Sequence, residues 1–269
     1  MKRTLAALLL CGALSASMTG SAMAQSRTVS AAVNGRTITE QAVLDQGVTY
    51  VPIRSLLGAL GDFTVQWEAE TRSAVAAGEG HYIAAPVGEE ELYVNGTTLI
   101  SPDKTRIRNG STYIPLRLVA EKLGLSVHWD RTKQRAVVTG ELPSTYRNEE
   151  DLYWLSRIIS AESRGEALIG QIAVGNVVLN RVRSEKFADS VKDVVFEVDS
   201  GYVQFEPVSN GTIYDEPTYR SMLAAKMALA GCDIVGDSLY FFSPALSSGS
   251  WIRANRTYLT TIGCHRFYL

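Results

Sequence analysis

Thr49-Tyr50-Val51-Pro52-Ile53-Arg54 returns later in the chain as Thr112-Tyr113-Ile114-Pro115-Leu116-Arg117. Outward from this pair, further blocks recur in the same order. Val33-Asn34-Gly35 answers Val94-Asn95-Gly96, Leu60-Gly61 answers Leu123-Gly124, and Val65-Gln66-Trp67 answers Val127-His128-Trp129. Blocks kept in register to this degree mark an internal duplication, two similar units packed together.

Each copy has a readable shape. Asn-Gly is a hairpin-turn signal. Thr-Tyr-Val-Pro and Thr-Tyr-Ile-Pro are short β-prone pieces, and their prolines suit a sheet edge or a strand end. From Arg54 to Leu60 and from Arg117 to Leu123, leucines three and four apart predict short amphipathic helices, closed by Gly61 and Gly124. The alternating stretches that follow predict strands. Residues 28–140 therefore read as a duplicated, β-rich α+β domain. They resemble the repeat domain found at the N-terminus of copper amine oxidases and in exported bacterial stalk proteins. The domain reads as an anchoring or spacing module whose ligand is unknown. His81 and His128 have no paired-histidine spacing, so no metal or other cofactor is expected. Tyr50, Tyr113, Trp67 and Trp129 read as aromatics of the repeat core, with a sugar-binding platform as the alternative.

After a polar segment containing Pro143, read as a linker over 141–150, the pattern becomes helical. Leu152, Leu155, Ile158 and Ile159 form an apolar stripe, and Glu149, Glu150 and Asp151 stand at the N-terminal end, where negative charge is favoured. The same stripe, continued one turn, reaches Glu162 just before Gly165. A carboxyl on the buried side of a helix has its pKa raised, which suits an acid catalyst near neutral pH. The structural alternative is an ion pair with Arg157 or Arg164.

The rest of the chain bears on that choice. Ser160-Ala161-Glu162-Ser163-Arg164-Gly165-Glu166 leads into Gly170-Gln171-Ile172-Ala173-Val174. Gln204-Phe205-Glu206-Pro207, Leu239-Tyr240-Phe241-Phe242-Ser243-Pro244, Trp251 and Ile262-Gly263-Cys264-His265-Arg266-Phe267-Tyr268 follow in order. These segments resemble the catalytic domain of the SleB-like cell-wall hydrolases, the group that includes spore-cortex-lytic enzymes. The resemblance implies a mainly helical, lysozyme-like domain with a small β-sheet over 151–269, acting on peptidoglycan glycan strands with Glu162 as catalyst. Ser243-Pro244 departs from the Asn-Pro common in the family. Glu166, Gln171, Gln204, Phe205, Tyr240 and His265 are supporting or substrate-binding candidates. Gly170 to Val182 reads as a core helix, and Leu239–Phe242 with Ile262–Tyr268 as paired strands. Ordinary glycosidases use two carboxylates. Only Glu162 falls on the family pattern, so a single-glutamate lytic transglycosylase is expected. The alternatives are a true hydrolase using Glu166, Glu206 or Asp215 as second carboxylate, and a non-catalytic wall-binding protein.

The remaining signals set the compartment. Lys2 and Arg3, an apolar run from Leu5 to Ala16 and Ala22-Met23-Ala24 predict a secretory signal peptide over 1–24, cleaved before Gln25. Leu10 before Cys11 argues against a lipoprotein signal. The expected location is outside the membrane, at the cell wall or the spore. No later stretch is long and apolar enough to span a membrane. A net charge of −2 carries no basic excess for nucleic acid. Cys232 and Cys264 then form a candidate disulfide, the alternative being two free thiols.

Overall fold

The structure, a computed structural model, describes residues 26–142, 149–199 and 201–269. The expected signal peptide lies outside the described residues, as does most of the expected linker.

The first copy runs β1 (Arg27–Val33), β2 (Arg36–Asp45), β3 (Val48–Pro52), α1 (Ile53–Gly58), β4 (Thr64–Glu68) and β5 (Ser73–Gly78). Strand β6 (His81–Pro86) leads into the second, with β7 (Glu91–Val94), β8 (Thr97–Ile100), β9 (Arg106–Arg108), β10 (Ser111–Pro115), α2 (Leu116–Lys122), β11 (Ser126–Asp130) and β12 (Arg135–Thr139). The copies do not fold side by side. They exchange strands between a seven-stranded sheet ordered β11-β12-β1-β2-β3-β10-β9 and a five-stranded sheet ordered β4-β5-β6-β7-β8. Asn34-Gly35 and Asn95-Gly96 make the predicted hairpin turns. Both residues of each pair have positive φ, which the primed two-residue turns require.

Strands β3 and β10, equivalent in the two copies, pair antiparallel. Val51 lies opposite Ile114, Tyr50 opposite Pro115 and Pro52 opposite Tyr113, so a local two-fold axis passes through the Val51–Ile114 pair. Each proline ends its strand and begins the helix that follows. Tyr50 and Tyr113 are buried, as read from the sequence. The Arg106 guanidinium stacks 3.8 Å over the Tyr50 ring and pairs with Asp45 at 2.7 Å. The reading of Trp67 as core is corrected: it is 41% exposed. Trp129 is half-buried. The tyrosines point into the layer between neighbouring elements, whereas the indoles flank open clefts.

The second half is helical. α3 (Glu149–Ser163), α4 (Leu168–Arg183) and α7 (Tyr219–Leu229) pack on one another, with α5 (Val191–Val195) against the first two. Between α5 and α7 come β13 (Val198–Asp199), β14 (Tyr202–Val203), α6 (Glu206–Asn210) and a 3-10 turn at Thr212–Tyr214. A three-stranded sheet closes the chain. It is ordered β15-β17-β16, from β15 (Tyr240–Phe242), β16 (Tyr258–Ile262) and β17 (His265–Tyr268), with α8 (Ser250–Asn255) between its first two strands. The expected pairing of the Leu239 and Ile262 segments is the β15–β17 ladder.

The two halves pack directly on each other. Val75 and Ala77 of β5 belong to the same core cluster as Ile158, Ile172 and Leu223. The Tyr219 hydroxyl accepts from the Val65 amide at 3.1 Å and donates to the Val65 carbonyl at 3.2 Å, capping the edge strand β4. Lys226 reaches both the carbonyl and the carboxylate of Asp62.

Candidate active site

Helix α3 delivers the central residue. Its first turn is acidic, Leu155, Ile158 and Ile159 are fully buried, and Glu162 stands in its last turn. The helix stops at Ser163, with Arg164 and Gly165 in a turn, so Glu166 no longer shares a helical face with Glu162. The Glu162 carboxyl opens on a cleft of about 280 Å³, which Arg164, Glu206, Asn210, Thr212 and Asp215 also line. Pro207 and the exposed Leu246 complete its rim.

Electrostatics there hold a proton. Burial pushes the Glu162 pKa up to about 7, the Glu206 carboxylate adds to the rise, and Arg181 opposes it. The C-terminal end of a helix, where carbonyls converge, disfavours negative charge as well. The ion-pair alternative is not what forms: Arg157 turns to Glu216 at 2.7 Å and stacks over Tyr153.

Arg181 carried no assigned role in the sequence reading, yet it underlies the site. It is buried on α4, its Nε donates to the Leu239 carbonyl at 2.9 Å, and Nη1 has no protein partner among the described residues. Three rings surround its guanidinium, Phe187 at 4.9 Å, Phe205 at 5.1 Å and Tyr240 at 5.7 Å. Burial lowers its pKa from the ordinary arginine value; arginine nevertheless keeps its charge at working pH. The only sequence signal was a cation on a helix otherwise dense in apolar residues.

The other candidates divide. Glu166 faces away from the cleft: its Oε2 accepts from the Cys264 amide at 3.1 Å and so holds the β16–β17 turn. Gln171 is fully buried, donates to the Glu166 carbonyl at 3.0 Å and accepts from the Ser221 hydroxyl at 2.9 Å. It ties the α3–α4 turn to α7. Phe205, a supporting or substrate-binding candidate, is 3% exposed and packs beside Phe241 in a supporting place. That anchor fixes the start of α6, which carries Glu206 into the cleft. Gln204 is half-buried beside it, its amide donating to the Glu197 carbonyl. Tyr240, a supporting or substrate-binding candidate, accepts from Arg256 at 3.0 Å and sits behind Arg181. His265, another such candidate, is buried edge-on to Phe241, and burial pushes its pKa down. Neither is among the residues lining the cleft around Glu162.

The disulfide expectation is corrected: both cysteines are free. Cys232 is buried after α7 beside Tyr82 of the N-terminal half, whereas Cys264 is exposed in the β16–β17 turn. They belong to different attachments of the fold.

Residues 165–268 match the family model described as Cell Wall Hydrolase. Over 100 residues the chain is 33% identical to the cell wall hydrolase CwlJ of Halalkalibacterium halodurans, covering 35% of this chain and 68% of that protein. The chain belongs to the cell wall hydrolase family. The family match begins just after Glu162, so the place of that residue in the site rests on its cleft. Residues 32–138 match the copper amine oxidase N-terminal domain. A spore cortex-lytic enzyme of Bacillus cereus is 36% identical over 126 residues, which are 47% of this chain and 46% of that protein. The chain spans about half the length of such curated relatives. The solved catalytic domain of the germination-specific lytic transglycosylase SleB from Bacillus anthracis is 35% identical. That match covers 47% of this chain and 99% of the other, with a TM-score of 0.42.

Proposed function

We propose that this member of the cell wall hydrolase family cleaves peptidoglycan glycan strands at muramic acid, outside the membrane, with Glu162 as acid and then base. One observation carries the reading: a carboxyl held near neutral pKa opens into a polar cleft, with no cation in an ion pair with it among the described residues. The protonated Glu162 gives its proton to the glycosidic oxygen as the bond to the anomeric carbon breaks. The resulting carboxylate then takes the proton of the muramic C6 hydroxyl, whose oxygen bonds to the anomeric carbon and closes a 1,6-anhydro ring. Atoms balance without water, and the acid form of Glu162 returns. In this scheme residues 151–269 cut the strand, residues 28–140 form the anchoring or spacing unit, and residues 1–24 are the export signal. The spore cortex is the substrate source to which the matched relatives' names point.

A second reading, true hydrolysis, is favoured by Glu206 and Asp215 lining the same cleft, since a second carboxylate can activate water. Glu166 does not serve that reading, being engaged at the Cys264 amide. The products decide. Mass spectrometry of muropeptides released by the pure protein is expected to show ends lighter by one water and resistant to borohydride. Glu206→Gln and Asp215→Asn are expected to keep substantial lytic activity. Reducible ends carrying oxygen from labelled water, lost in either variant, favour the hydrolase.

A further inference from the structure

The duplication builds two matching clefts in the N-terminal half. One, of about 540 Å³, lies between the β2–β3 turn of the first copy and Pro115, Arg117 and Trp129 of the second. The other, of about 300 Å³, lies between the β9–β10 turn of the second copy and Pro52, Arg54 and Trp67 of the first. Every position lining the smaller cleft has its repeat equivalent lining the larger one. The axis through Val51 and Ile114 relates them, and each cleft borrows from both copies.

What the copies kept separates packing from recognition. Between the clefts' tryptophans and arginines, Ser55 to Ala59 and Leu118 to Lys122 differ at every position. Trp67 and Trp129, Arg54 and Arg117, and Thr49 and Thr112 are identical. Core packing explains the retention of Tyr50 and Tyr113. It does not explain a tryptophan 41% exposed, or an exposed Arg54 with no partner among the described residues. A large exposed apolar side chain beside an open cleft contributes little to folding. An aromatic wall with a few polar groups converging on it is the usual make-up of a ligand site.

We propose that each cleft binds a short stretch of N-acetylated hexosamine chain. The indole packs on the apolar face of a sugar ring, and the guanidinium and threonine hydroxyl meet its hydroxyls and any carboxylate it carries. The choice of wall glycan as the source of that chain rests on the activity proposed above. The two-fold relation gives the sites opposite polarity, so one strand cannot thread both in the same sense. The pair therefore holds two neighbouring strands, and occupation of one site raises the effective concentration at the other.

The test uses the full chain carrying Glu162→Gln, so that no strand is cut. With an N-acetylglucosamine tetramer, the indole N–H resonances of Trp67 and Trp129 are expected to shift together, and that of Trp154, half-buried against the helical core away from both clefts, to stay. In pelleting with purified wall, Trp67→Ala and Trp129→Ala are each expected to weaken binding roughly threefold to tenfold. The double variant is expected to lose more than either. Trp67→Phe with Trp129→Phe, which keeps an aromatic face, is expected to recover part of the loss if the alanine pair unfolds. Silent Trp67 and Trp129 resonances at the solubility limit of the tetramer, or unchanged pelleting of a folded double variant, overturn the proposal. Shifted indoles in a protein whose wild type releases no muropeptides would leave the proposal standing and remove the activity instead.

Discussion

A carboxyl one turn beyond an apolar stripe, at the negative end of its helix, keeps a proton near neutral pH. Stability and activity both follow from that. The folded pKa of Glu162, about 7, lies above the usual 4.5, so the folded chain binds the extra proton. Stability is then fullest at acid pH and falls as pH rises from the unfolded value through the folded one. Glu162→Gln removes that cost. The variant is expected to be inactive yet more stable than the wild type above about pH 7, by at most roughly 3.5 kcal/mol, with the gain vanishing below about pH 4. Thermal melts at both ends of the range check this; a variant that melts below the wild type in alkali refutes the desolvation argument. For activity, kcat/KM is expected to fall above about pH 7 as the acid form is lost, and Glu206→Gln to move that limb to lower pH. Glu162 was legible because Ile158 and Ile159 project one turn onto it. Arg181 was not: Phe187, Phe205 and Tyr240, which bury it, are scattered along the chain, and only tertiary packing gathers them.

Helices α3, α4 and α7 meet closely because Gly175 has no side chain. A Cβ there would lie 2.8 Å from Ile159 Cδ1 and 3.4 Å from Ala228 Cβ. Gly175→Ala would recover up to about 1 kcal/mol of helix propensity, which blurs the result. Gly175→Val adds bulk that such a gain cannot offset, and is expected to cost about 1–3 kcal/mol by overpacking. Because Ile159 lies one turn from Glu162, lytic activity should fall with it. Urea melts of both variants test the point, and wild-type stability in the valine variant would show that the helices have room to part. The Gly170 to Val182 segment was readable as a core helix from composition alone. Where α3 stops was less so. Glu162 and Glu166 stand four residues apart, the spacing of one helical face, but Glu166 accepts from the Cys264 amide nearly a hundred residues later, a partner no local pattern contains.

On the scale of the whole chain, the duplication and the change to helix were plain in the sequence, and the joint between the halves was not. Its trace is there in β5. All six residues from Ser73 to Gly78 are buried, a strand covered on both faces. Ala74 and Ala76 enter the core of the N-terminal half, while Val75 and Ala77 enter the helical core. In the second copy the equivalent strand β12 begins with Arg135 and ends with Thr139, both half-buried, where β5 has Ser73 and Ala77. The copies diverged where one of them is covered. An anchoring unit on a loose tether would unfold apart from its enzyme; two halves sharing a core unfold together. Calorimetry of the wild type is therefore expected to show one transition. Ala77→Asp places a carboxylate in the shared core at a cost of several kcal/mol, and is expected to split the transition and lower the melting of the helical half. Thr139→Asp, at the equivalent but uncovered position, is the control and should shift Tm little. Two separate wild-type transitions, or equal effects of the two substitutions, would show the halves to be independent and the interface to be incidental.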